Sequence, residues 1–64
     1  MRIDRVKFIT ELAKKDYTIR KLSEVSGVSA QTLSCIKNGK GCSEKTALAI
    51  ASALNVDINK IKEN

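Results

Sequence analysis

The sequence predicts an all-α fold, a compact set of five short helices around one core. Three observations carry that prediction. Apolar residues recur at spacings of three and four along most of the chain. No segment alternates with the period of two that a half-buried strand requires. Ser, Thr or Asp stands at or near the start of the periodic segments, where a helix N-cap belongs. Sixty-four residues, without proline or a low-complexity linker, are read as a single domain spanning residues 1–64. A domain so small buries little more than half of the surface of its unfolded chain, so its core must be economical.

The first helix is expected within residues 3 to 15, where Ile3, Val6, Ile9, Leu12 and Ala13 share one helical stripe. Asp4 near its start and Lys14 and Lys15 near its end agree with the helix dipole. Phe8 falls off this stripe and is expected to widen the apolar face or to touch a partner. Thr18 is the N-cap of a second helix, with Tyr17 and Leu22 placed to form a hydrophobic staple. That helix runs through Ile19, Leu22 and Val25 to Gly27, a residue free to turn left-handed.

Ser29 caps the third helix, whose apolar groups are only Leu33 and Ile36, with Val28 just ahead. Ala30, Gln31, Thr32, Ser34, Cys35 and Lys37 are small or polar, so a broad face is meant to meet something polar. "NGKG", residues 38 to 41, stops it, with Gly39 suited to the position after the C-cap. Ser43 caps a fourth helix on which Ala47, Ile50, Ala51 and Leu54 recur at core spacing. Asn55 ends it, Val56 turns inward, and Asp57 caps a last short helix carrying Ile58 and Ile61.

The formal charge is +5, and between Glu24 and Glu44 there is no acidic residue. Lys37 and Lys40 lie inside that interval and Arg20 and Lys21 just before it, which points to a polyanion as partner. No stretch approaches the roughly 18 apolar residues of a membrane span, and the N-terminus does not read as a signal peptide. A soluble, cytoplasmic protein without membrane contact is therefore expected. Cys35 and Cys42, with no histidine in the chain, do not make a zinc site and are read as reduced thiols; a redox role for Cys35 is a minor hypothesis. No histidine, no catalytic carboxylate pair beside a nucleophile and no phosphate-cradling glycine loop is present, so neither an enzyme nor a cofactor or small-molecule ligand is expected.

The segment "TIRKLSEVSGVSAQTLSCIKNGK" resembles the helix-turn-helix of the phage repressor and Cro family, the XRE-like or lambda-repressor-like group. Thr18, Leu22, Gly27, Val28, Ser29, Thr32, Leu33, Ser34, Ile36, Gly39 and Lys40 fall in register with its pattern, and "TALAIASALNVDINKI" resembles the family's fourth and fifth helices. The resemblance implies a regulator, foremost a repressor, that binds a two-fold symmetric operator as a homodimer, paired through "VDINKIKEN" and mainly on DNA. It implies that Ala30, Gln31 and Cys35 read bases in the major groove, with Ser29 and Ser34 beside them. It also implies backbone contacts from Thr18, Ile19, Thr32, Asn38 and Lys40, with Lys37 and Lys45 adding charge near the phosphates. The sequence departs from the family at Ser23, Ile19, Lys37 and Cys42, where alanine, glutamine, glutamate and proline are usual. The alternative reading is a helical protein-interaction module, such as an antitoxin or a regulator's partner, touching its target through Phe8, Ile58 and Ile61.

Overall fold

The computed structural model describes residues 1–63; Asn64, the last residue of the expected pairing segment, lies outside them. Four α-helices follow one another: α1 (Arg5–Lys15), α2 (Ile19–Ser26), α3 (Ala30–Lys37) and α4 (Glu44–Leu54), then a single 3-10 turn at Ile58–Lys60. Each helix begins at a side-chain cap. The Asp4 carboxylate accepts from the Val6 and Lys7 N–H groups at 2.9 and 3.1 Å, and Thr18 Oγ1 accepts from the Lys21 N–H at 3.0 Å. Ser29 and Ser43 accept from the Thr32 and Thr46 N–H groups at 3.2 and 3.1 Å. Each cap contributes about 1 kcal/mol by satisfying a donor that has no intrahelical partner. Left-handed residues close three helices: Asp16 after α1, Gly27 after α2 and Asn55 after α4. Asp and Asn tolerate that conformation better than other residues with a Cβ.

The core gathers Phe8, Leu22, Leu33, Ile36, Ile50, Leu54 and Ile61 with the small Ala47 and Ala51. Burying each large side chain contributes about 1.5–3 kcal/mol. α2 packs against α4 and α3, and α1 rests on α3 and α4. Ala47 and Ala51 keep the inner face of α4 low beside Ile50 and Leu54, which leaves room for its neighbours to pack against it.

Three expectations need correction. On α1 the inward face is Phe8, Glu11 and Leu12, while Val6 is 73% and Ile9 45% exposed and Ala13 faces solvent. The helix starts only at Arg5, so Ile3 reaches the core from an extended segment and does not set the helix's orientation. Phe8, at 0% exposure, does. On α2, Val25 is 44% exposed, because an eight-residue helix held by Leu22 and half-buried Ile19 and Ser26 turns that position outward.

The expected fifth helix is one 3-10 turn. Asp57 caps it as predicted, accepting from the Asn59 N–H at 2.9 Å, and the Lys60 and Ile61 N–H groups close short bonds to Asp57 and Ile58. The chain then extends. Lys62 bridges antiparallel to Ile3, the Glu63 N–H donates to the Arg2 carbonyl at 3.0 Å, and the Asp4 N–H donates to the Ile61 carbonyl at 2.7 Å. Backbone groups that a longer helix would use are thus paired with the N-terminal segment. A short helix does not offset its costly nucleus by its own bonds, so packing and pairing elsewhere in the fold decide whether it forms.

Candidate nucleic-acid interface

α2 and α3 are joined by the turn Gly27-Val28-Ser29. Gly27 stands at φ +76°, a conformation that strains any residue with a Cβ, even though open space surrounds it. Its N–H donates to the Ser23 carbonyl at 3.0 Å, and the Val28 N–H donates to Ser26 Oγ at 3.1 Å. Leu22, Leu33 and Ile36 are buried between the two helices and the core, with Val28 half-buried beside them.

With Leu33 and Ile36 turned inward, a rotation of about 100° per residue puts Gln31 and Ser34 on the opposite arc and Ala30 and Lys37 at its sides. All four are exposed, and Cys35 is half-buried at the margin. Nothing acidic lies on this helix. Ser29 is exposed too, but its hydroxyl is engaged in the cap: it accepts from the Thr32 N–H at 3.2 Å and donates to the Thr32 hydroxyl at 2.8 Å.

The expected backbone-contacting residues lie at the start of α2, on α3, in the loop after it and in the first turn of α4. Thr18 is exposed and caps α2, and Ile19 is half-buried against the core, so its side chain packs while its N–H, in the first turn, has no intrahelical carbonyl. Asn38 ends α3, donating its N–H to the Ser34 and Cys35 carbonyls at 3.1 Å. Lys37, Lys40 and Lys45 are exposed. Among the described residues Arg20, Lys21, Lys37, Lys40 and Lys45 form no ion pair, whereas Lys14 pairs with Glu11 at 3.1 Å and Arg2 with Glu63 at 3.5 Å. Arg5, Lys7, Lys15, Lys60 and Lys62 form no ion pair either among the described residues, so what sets the cations near the polar arc apart is the lack of any acidic residue between Glu24 and Glu44.

Thr32 and Lys45, far apart in the chain, are brought together. They line one open cleft of about 390 Å³ with Ser26, Ser29, Thr46 and Ala49, between the interhelical turn and the first turn of α4. Ser26 and Thr46 were not singled out from the sequence. The signal for Thr46 was present, because Ser43-Glu44-Lys45-Thr46 repeats the Ser-x-x-Thr spacing of Ser29 to Thr32 and forms the same hydroxyl pair, at 2.9 Å. Both cysteines are free, and burial pushes the Cys42 thiol above its usual range, partly offset by the positive charge of the Met1 amino group.

Two short helices locked by a glycine turn, the second with a polar, acid-free outer face, define a helix-turn-helix domain. Residues 10–61 match the model of the helix-turn-helix family of XRE and lambda-repressor type, and the chain belongs to that family. Among curated proteins none is significantly similar in sequence. Among solved structures the chain is similar to native PhpD with cadmium atoms and to PhpD with cadmium and its phosphonate ligand, each at TM-score 0.85, and to a hydroxyethylphosphonate dioxygenase mutant at 0.88. Identity is 23% in each case, and the match covers 100% of this chain but 14% of theirs. At that identity the likeness is one of fold. Among the described residues no helix is long and apolar enough to cross a membrane.

Proposed function

We propose that the chain is a sequence-specific regulator that binds double-stranded DNA, with α3 in the major groove. The observation that carries this reading is the exposed arc of Ala30, Gln31 and Ser34, with Cys35 at its margin, flanked by lysines that have no acidic partner among the described residues. Gln31 is suited to a bidentate hydrogen-bond pair with adenine, and Ala30 to packing on a thymine methyl. Ser29 holds the first turn of α3 between them and the cleft. Thr18, the Ile19 N–H, Thr32, Asn38 and the three lysines position the domain on the phosphates.

Two copies bind a two-fold related operator and block access to an overlapping promoter. The apolar side chains of the C-terminal segment favour pairing on DNA over pairing in solution, since Ile61 is in the core and Ile58 half-buried. The same reading has the protein acting in the cytoplasm, with no cofactor and no catalytic role. The test is selection of bound duplexes from a random pool near physiological salt, because low ionic strength inflates non-specific affinity. Enrichment of a two-fold site is expected.

One observation favours a second reading, a module that binds a protein. Of the three side chains expected to serve it, Phe8 and Ile61 are fully buried and Ile58 is half-buried, but Val6, Ile9 and Ala13 form an exposed stripe on α1. Selection that enriches no site, with binding that fades as salt rises, supports this reading over the first.

A further inference from the structure

We infer that residues 1–4 are a strap that fixes the conformation of the α3–α4 loop, with Arg2 as its positioning residue, and that the strap thereby strengthens backbone contacts made from that loop. The second half of this inference rests on the DNA-binding reading; the first half does not.

The loop, residues 38 to 43, carries Asn38 and Lys40 and contains two glycines and no proline, so its own backbone is not stiff. Its own internal bonds stop early, with the Gly39 and Lys40 N–H groups donating to the Ile36 and Cys35 carbonyls at 2.9 and 3.0 Å. Beyond Lys40 the backbone is held from outside. Arg2 Nη2 donates to the Gly39 carbonyl at 2.6 Å, and the Cys42 N–H donates to the Met1 carbonyl at 2.9 Å. These two bonds bracket Lys40 and Gly41.

The contact between strap and loop is close. A Cβ at Gly41 would stand 3.2 Å from the Met1 carbonyl oxygen, a backbone atom that yields only if the strap moves. The strap is itself anchored, by Ile3 in the core, by its backbone pairing with Ile61, Lys62 and Glu63, and by the ion pair of Arg2 with Glu63. One guanidinium thus joins the C-terminal segment to the end of α3, a two-ended role that suits its planar fork and not a lysine ammonium. A loop ordered before binding loses less conformational entropy when it meets a partner.

The test is amide hydrogen exchange of the intact chain without DNA, with Arg2→Ala, Arg2→Lys and Gly41→Ala beside the wild type. The expected result is exchange at the Cys42 amide about tenfold faster in all three, with core amides of α2 and α4 unchanged. In DNA binding, Arg2→Ala then weakens cognate and random duplexes alike, about three- to tenfold, and adds little to the effect of Lys40→Ala. Unchanged Cys42 exchange in Arg2→Ala and Gly41→Ala overturns the strap. Full rescue of affinity by Arg2→Lys overturns the positioning role of Arg2 and makes it a simple charge. Faster exchange in a protein that binds no duplex at all leaves the strap standing and removes the DNA-binding reading instead.

Discussion

α3 and α4 begin alike and end differently. Each opens on a serine cap whose hydroxyl meets a threonine hydroxyl three residues on, at 2.8 and 2.9 Å. After that first turn α4 buries Ala47, Ile50, Ala51 and Leu54, while α3 buries only Leu33 and Ile36. One start signal therefore serves two destinations, and the side chains after it decide which helix builds the core and which faces outward. α3 contributes only a narrow edge to stability, so the rest of its surface is free to be selected for what it touches.

Truncation should break the symmetry of the two helices most strongly in α4. Ile50→Ala or Leu54→Ala is expected to cost about 2–5 kcal/mol, read as a lower midpoint in denaturant unfolding. Ser34→Ala on α3 should fall within about 0.5 kcal/mol of wild type. Gln31→Ala should likewise leave unfolding unchanged but lose about 1–3 kcal/mol of operator affinity and relax one base preference. An equal loss on cognate and random duplexes would remove Gln31 as a base reader.

Ser43→Ala is expected to cost about 1 kcal/mol of stability through the α4 cap, and Ser29→Ala a similar amount through the α3 cap. The two should differ on DNA, where only Ser29→Ala also disturbs a base-reading turn; matching affinities would erase the distinction. Lys40→Ala should weaken all sequences to a similar degree and reduce the slope of log affinity against log salt by about 1.

The smallest effect is set by pH. Burial raises the Cys42 thiol pKa, so the folded state holds this proton more tightly than the unfolded one. Its contribution is present below the unfolded value and is lost as pH rises through the folded one. Unfolding midpoints should therefore decline slightly on the alkaline side, and Cys42→Ser should lack this decline.

Local signals were legible in the sequence and long-range ones were not. The caps at Thr18, Ser29, Ser43 and Asp57, the turn at Gly27 and the inner face of α4 are set by neighbours within a turn or two, and all stand where the sequence put them. The stripe through Ile3, Val6 and Ile9 misled because two apolar faces compete on α1, and packing of Phe8 decides between them. The C-terminal helix misled because pairing with residues 2 to 4, invisible to any periodicity, drew its backbone away. Arg2 carried no local signal for the same reason. In the candidate site, exposure of Ala30, Gln31 and Ser34 was legible from the lack of bulk on α3, while the convergence of Thr32 with Lys45 needed the fold. The likeness to a small part of a dioxygenase adds a further lesson: a shared helical arrangement does not by itself set function, which lies in the side chains it presents.

The central claim is that α3 is the surface that meets DNA. Mapping backbone amide shifts during titration with a selected duplex tests it most directly. Changes concentrated at Ala30–Lys37, the first turn of α2 and Asn38 to Lys45, with Val6, Ile9 and Ala13 silent, are the predicted result. Changes centred on the outer stripe of α1, with Gln31 and Ser34 unmoved, would contradict it.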